Sequence, residues 1–189
     1  MQCYIIGSPT CQGGKLVNCS DGEVCTTLIE EFTQPLTVSN TLLRSCGPPY
    51  QCNQNGSYTT ADRRVRMSTS CCSTNNCTPE FPILPIVYNE KNGKICHSCV
   101  TGGGPCEGNE TISCLGEETQ CLRLFTIIKG DDHTVEAHHG CTTESVCDVR
   151  SKTVVLEEIN VTSIFDCNSA TRLADFPFFY VILLLRFLN

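Results

Sequence analysis

The stretch from Cys106 to Cys147, CEGNETISCLGEETQCLRLFTIIKGDDHTVEAHHGCTTESVC, carries cysteines at 106, 114, 121, 141 and 147. The stretch from Cys11 to Cys52 carries them at 11, 19, 25, 46 and 52. Successive intervals are 8, 7, 20 and 6 residues in the former and 8, 6, 21 and 6 in the latter. The next interval, to Cys167 and to Cys71, is 20 and 19. Five intervals in a row agree within one residue, so the chain is a tandem duplication. The first copy covers residues 1–78 and the second 95–168. Between them, residues 79–94 (PEFPILPIVYNEKNGK) hold three prolines and read as a semi-rigid linker. Its aliphatic side chains are expected between the modules.

Each interval of about 20 residues fits one hairpin. From Cys121 to Cys141, Leu122 to Lys129 is β-rich, Gly130-Asp131-Asp132 supplies a turn, and Thr134 to His139 returns. In the first copy Val24 to Ile29 and Thr41 to Ser45 form the matching pair, with Pro35 and Ser39-Asn40 as turn material. Ser151 to Phe165 reads similarly. No long amphipathic helix stands out. The predicted class is all-β.

Composition narrows the function. The 189 residues include 17 cysteines and no tryptophan, and 13 basic against 20 acidic residues give a net charge of −7. A nucleic-acid backbone needs a clustered basic face and is excluded as partner. Without cysteine the apolar stock is thin, and a module of about 75 residues buries a poor core. A bridge closing a loop of ~15–25 residues contributes on the order of 3 kcal/mol by the chain-entropy model. Cross-links therefore supply most of the stability, which places the chain in the secretory pathway. Sequons at Asn55, Asn109 and Asn160 agree and are the expected glycosylation sites; those at Asn18 and Asn76 have cysteine in the middle and are discounted.

No basic and apolar leader precedes Cys3, so the chain is read as mature or truncated, or as lacking its first exon. At the other end, residues 169–189 form an apolar tail including FPFFYVILLL from Phe176. It is short for a bilayer span but suits a removable GPI signal, with Asn168 as candidate attachment residue. The competing readings of the tail are a final strand or an aberrant C-terminus.

The spacing, with the closing run Cys71-Cys72-Ser73-Thr74-Asn75-Asn76-Cys77, resembles the three-finger modules of the urokinase-receptor and lymphocyte-antigen-6 (UPAR/Ly-6) superfamily. Cys96-His97-Ser98-Cys99 and Cys167-Asn168 fit the same pattern at the two ends of the second copy. Two modules in tandem, with Cys71-Cys72, the linker around Phe81-Pro82 and the restart at Ile95-Cys96, look most like the gamma-type phospholipase A2 inhibitors. The resemblance implies two tandem disulfide-rich three-finger (snake-toxin-like) domains. It implies the pairs Cys3–Cys25, Cys19–Cys46, Cys52–Cys71 and Cys72–Cys77, then Cys96–Cys121, Cys99–Cys106, Cys114–Cys141 and Cys147–Cys167. Spacing alone does not select that connectivity. Two departures stand out. Ile6 occupies the place of a cysteine that would pair with Cys11, leaving Cys11 unpaired. A leftover thiol is buried, joins another chain, or reflects a wrong N-terminal exon, and the missing leader favours the last. The second copy has Asn168 and Leu173 where the first has Cys72 and Cys77, so its final strand is expected to be less firmly tied.

No catalytic constellation, cofactor motif or metal site is expected. Cys96-x-x-Cys99 lacks the helix and βαβ setting of a redox pair. His97, His133, His138 and His139 lack a second ligand pair at zinc spacing, and adjacent His138 and His139 face opposite sides of a strand. Arg63-Arg64-Val65-Arg66 reads first as a charged edge strand and second as a contact for an acidic partner. The expected function is a non-enzymatic extracellular protein that binds and occludes a secreted phospholipase A2. The alternative is a GPI-anchored surface receptor or adhesion protein with another protein ligand. The second hairpins, around Phe125, Ile127 and His133 and around Thr33 to Thr37, and the linker are the expected contact regions.

Overall fold

The computed structural model describes residues 2–5, 15–102, 106–130, 133–156 and 159–168. Cys11 and the tail beyond Asn168 lie outside the described residues. Thirteen strands, one short α-helix and a single 3-10 turn (Pro49–Gln51) appear among the described residues. In the first copy, β1 (Gln2–Ile5) pairs with β2 (Lys15–Asn18), and β3 (Val24–Gln34), β4 (Thr37–Gly47), β5 (Asn55–Thr60) and β6 (Arg64–Cys72) form a sheet in the order β4-β3-β6-β5. In the second, β7 (Lys91–His97) pairs with β9 (Thr111–Leu115). There β10 (Gln120–Lys129), β11 (His133–Thr142), β12 (Ser151–Leu156) and β13 (Ile159–Asn168) run in the order β11-β10-β13-β12. β8 (Cys99–Gly102) adds to β11. The fold is all-β, disulfide-rich and three-fingered, with equivalent strands in equivalent places.

The first copy's central finger is longer than the sequence reading gives it. Gln34 pairs with Thr37 across Pro35-Leu36, and Ser39 and Asn40 pair with Phe32 and Glu31 instead of turning. A proline leading a two-residue turn fixes the reversal early, and the polar Ser39 and Asn40 are tolerated on exposed strand. Helix α1 (Glu144–Val149) is absent from the sequence reading because six residues give no measurable periodicity.

Seven disulfides are described: Cys19–Cys46, Cys52–Cys71, Cys72–Cys77, Cys96–Cys121, Cys99–Cys106, Cys114–Cys141 and Cys147–Cys167. Cys25 is also oxidised. Cys96, Cys114 and Cys141 are buried together against Ile112 and Cys121, a small core made largely of sulfur.

The two copies are not beads on a string. β11 pairs antiparallel with β5, matching Gly140 to Thr60, Cys141 to Thr59 and Thr142 to Tyr58, so one sheet runs through both halves. One hydrophobic cluster does the same. Leu28, Tyr58, Val65 and Met67 pack with Leu122, Leu124, Val146, Val149 and Phe165, and the Tyr58 and Phe165 rings meet edge to face at 6.1 Å. Neither half has the apolar stock for a good core alone, and pooling resolves the shortage.

Close approach dictates two glycines at this seam. A Cβ on Gly140 would lie 2.0 Å from the Thr59 carbonyl oxygen, and one on Gly56 would lie 2.2 Å from Thr143 Oγ1. Counted from the cysteines, the matching positions in the other copies are Ser45 and Ser151, and these lie on β4 and β12, at the two free ends of the sheet.

Candidate protein-binding surface

The linker borders the joint, where Tyr88 lies against Gly116 and accepts from Arg64, but its largest side chains do not fill it. Phe81, Ile83, Ile86 and Tyr88 point to solvent, Ile83 at 84 % and Ile86 at 77 % exposure, while Pro79 and Pro82 are buried. The reason lies in β6. It is an interior strand between β5 and β3, not an edge, so the expectation of a charged edge strand fails. Val65 and Met67 face the core, which sends Arg64 and Arg66 to the opposite face. There Arg66 donates to the Pro85 carbonyl at 3.0 Å and pairs with Glu31 at 2.7 Å. Arg64 donates to the Tyr88 carbonyl at 3.0 Å and to Asn89 Oδ1 at 2.9 Å. Ser70 donates to the Glu80 carbonyl. The basic run is thus a row of clamps on linker carbonyls. A proline-stiffened strap held by its backbone presents four large apolar side chains outward and loses little freedom when it meets a partner.

The fingertips differ. In the first copy Leu36, 96 % exposed, and Val38 make the tip of the β3–β4 finger apolar. In the second copy Phe125 and Ile127 are half-buried within the β10–β11 finger, which ends in exposed Lys129, Gly130 and His133. Of the contact regions expected from sequence, the linker and the Thr33 to Thr37 turn present large apolar surface, whereas Phe125 and Ile127 are partly covered.

Rigidity of that surface rests on the joint. Glu118 comes from the second copy and is fully buried against the first. Ser57 Oγ donates to its Oε1 at 2.7 Å, Thr59 Oγ1 at 2.9 Å, and Arg64 Nε lies 3.5 Å away. Burial pushes the Glu118 carboxyl above its ordinary range, and the Ser57 and Thr59 hydroxyls and Arg64 only partly offset it. Thr143 N–H donates to the Ser57 carbonyl at 2.9 Å, Ser145 Oγ to the Asn55 carbonyl at 2.7 Å, and Lys152 pairs with Glu30. Beside this joint a cavity of about 350 Å³ opens between Phe32, Leu43, Tyr58, Leu124, Val161 and the Glu30–Lys152 pair. Burial, then the Glu30 charge, drives the Tyr58 hydroxyl well above its ordinary pKa, so it stays protonated there.

The remaining expected positions fall as follows. Asn55, Asn109 and Asn160 are all exposed, as are Asn18 and Asn76. Asn168 lies on β13 in register with Cys121. Asp131 and Asp132 lie outside the described residues. His138 is buried, and His139, on the other side of β11, contacts His97. Sulfurs converge at Cys25, Cys72 and Cys77 and at Cys96, Cys114 and Cys141, but each is half of a disulfide and offers no thiolate to a metal. Glu118 was hidden from sequence reading because Glu117-Glu118 looks like a solvated pair, and only the fold buries one of the two. Among the described residues no helix is long and apolar enough to cross a membrane.

No family model matches the chain. A gamma-type phospholipase A2 inhibitor of Gloydius brevicaudus siniticus is 30% identical over 151 residues, covering 75% of this chain and 72% of that protein. A gamma-type phospholipase A2 inhibitor of Laticauda semifasciata is 25% identical over 177 residues, covering 90% of this chain and 97% of that protein. The urokinase plasminogen activator surface receptor of Bos taurus is 24% identical over 111 residues, covering 57% of this chain and 34% of the receptor.

Proposed function

We propose, from the premise that this chain belongs to the family of gamma-type phospholipase A2 inhibitors, that it is an extracellular, non-enzymatic protein that binds a secreted phospholipase A2 and blocks it by occlusion. In this reading residues 1–78 and 95–168 are the two three-finger domains, and the pooled core keeps them in fixed relation. The observation that carries the contact site is the strap: Phe81, Ile83, Ile86 and Tyr88 stand exposed on a segment whose backbone is clamped. Aromatic and aliphatic anchors on a rigid frame are what a protein interface concentrates. The apolar tip at Leu36 and Val38 is the second anchor. The acidic net charge suits a basic partner by complementary steering.

The test is binding and inhibition against a panel of secreted phospholipases at micromolar concentration. Binding that weakens at least tenfold in Ile83→Ser/Ile86→Ser supports the reading; no binding to any member of the panel overturns it. The apolar tail in the sequence favours a second reading, a GPI-anchored surface protein. Release from expressing cells by a phosphatidylinositol-specific lipase, abolished when residues after Ala170 are removed, would establish it.

A further inference from the structure

We propose that His97 and His139 form a two-imidazole site for a borderline divalent metal ion, Cu(II) foremost and Zn(II) next. The two residues lie 42 positions apart in sequence, on β7 and β11, in two different sheets of the second copy. Their Nδ1 atoms are 3.0 Å apart, with the rings at 63°. Two nitrogens bound to one ion at the usual ~2.0–2.1 Å and at 90–109° to each other are separated by about 2.9–3.4 Å. The observed separation falls in that window, and ligation requires the rings to turn from their hydrogen-bonded pose until both Nδ1 lone pairs converge on one point.

The surroundings are those of a ligand pair. His97 Nε2 donates to the Gly108 carbonyl at 2.8 Å, which fixes the proton on Nε2 and leaves the Nδ1 lone pair directed at His139. A second ring nitrogen tied to a backbone carbonyl is the arrangement that orients a metal-bound histidine. The Cys99–Cys106 bridge holds the segment leading to Gly108, and Cys99 is in register with His139, so the carbonyl and both rings are placed by one covalent clip. In the metal-free protein His139 Nδ1–H donates to His97 Nδ1. On binding, that proton moves to His139 Nε2 and the charge of the protein is unchanged. Among the described residues no further histidine or carboxylate joins the pair. The other positions of the ion therefore fall to water, which suits open tetragonal Cu(II) better than a closed structural zinc.

The test uses the full glycosylated chain, stripped with chelator and titrated with CuSO4 or ZnCl2 by calorimetry. One ion per chain is expected, with affinity reduced at least tenfold in both His97→Gln and His139→Gln and unchanged in His133→Gln. An electron-spin-echo spectrum of the Cu(II) complex of the unsubstituted protein should show two coordinated imidazoles. At metal a hundredfold above Kd, Tm should rise by about 5 °C, because the ion joins two sheets. No saturable binding below 100 µM, fewer than two imidazoles in the spectrum, or undiminished affinity in the two variants overturns the proposal and leaves an ordinary histidine–histidine hydrogen bond. None of these outcomes depends on phospholipase binding.

Discussion

The two copies share one strand order yet contribute different edges to their joint. The first offers β5 of its third finger, and the second offers β11 of its central finger. The equivalents, β12 and β4, are left at the two ends of the sheet. A duplication that joins head to tail in this way needs its residues specialised only where the copies meet. Gly56 and Gly140 sit at the seam where Ser151 and Ser45 sit at the free ends. Glu118 reaches across, while its counterpart, three residues before Cys25, is Gly22 in a turn with φ of +85°. The copies thus diverged at the joint and at their tips, while the cysteine frame stayed fixed except at Ile6, Asn168 and Leu173.

Four sets of substitutions would break or sharpen that contrast. The largest effect is expected from Gly140→Val, which forces side-chain atoms onto the Thr59 carbonyl and should destabilise by about 3 kcal/mol or more, or abolish secretion. The matched change Ser45→Ala, at a free end, should cost under about 1 kcal/mol. Equal losses in denaturant melts would show that the seam is not special. Next is Glu118→Ala, expected to cost about 2–3 kcal/mol by stranding Ser57, Thr59 and Arg64.

Glu118→Gln keeps an acceptor for both hydroxyls and should alter the pH dependence instead. A carboxyl whose folded pKa is raised binds protons more tightly in the native state. Its contribution to stability is full below the unfolded value of about 4.3 and is lost as pH rises through the folded one. Melting curves from pH 4 to 8 should therefore fall less steeply in Glu118→Gln than in the parent protein.

Third, Cys72→Ser/Cys77→Ser gives the first copy the open closure of the second. A loop this short predicts a loss of about 2 kcal/mol by chain entropy. A loss no larger than that of a surface substitution would mean the closing bridge is dispensable in both copies. Fourth, Ile83→Ser/Ile86→Ser should leave Tm within about 1 °C of the parent, since both side chains are in solvent, while weakening phospholipase binding. A fall of several degrees would show that the strap belongs to the structural joint after all.

Periodic features were legible in the chain and pairwise ones were not. The cysteine ladder exposes the duplication, and alternation puts His138 and His139 on opposite sides of β11, one buried and one facing His97. The connectivity of the bridges had to come from resemblance, because spacing permits many pairings. The seam joins residues some eighty positions apart, and its signal, a glycine in place of serine, is visible only when the two copies are aligned against a known contact. Arg64 and Arg66 misled for a related reason. A basic strand looks solvated until a neighbouring segment supplies carbonyls to bind. The linker follows from it, since its prolines offer no amide N–H, and it is held by its carbonyls and by buried Pro79 and Pro82 rather than by its largest side chains.

All seven described disulfides close within one copy, and the strap between Cys77 and Cys96 is crossed by none of them. With Cys25 paired to Cys3, as the resemblance implies, a single proteolytic cut there would leave two covalently separate pieces gripping one another through β5, β11 and a common interior. Association would then change from an intramolecular to a bimolecular equilibrium, set by how dilute the fragments are. The nicked molecule would run as one species on a native gel and as two in detergent without reductant, and the concentration at which it falls apart would measure directly how strongly one half holds the other.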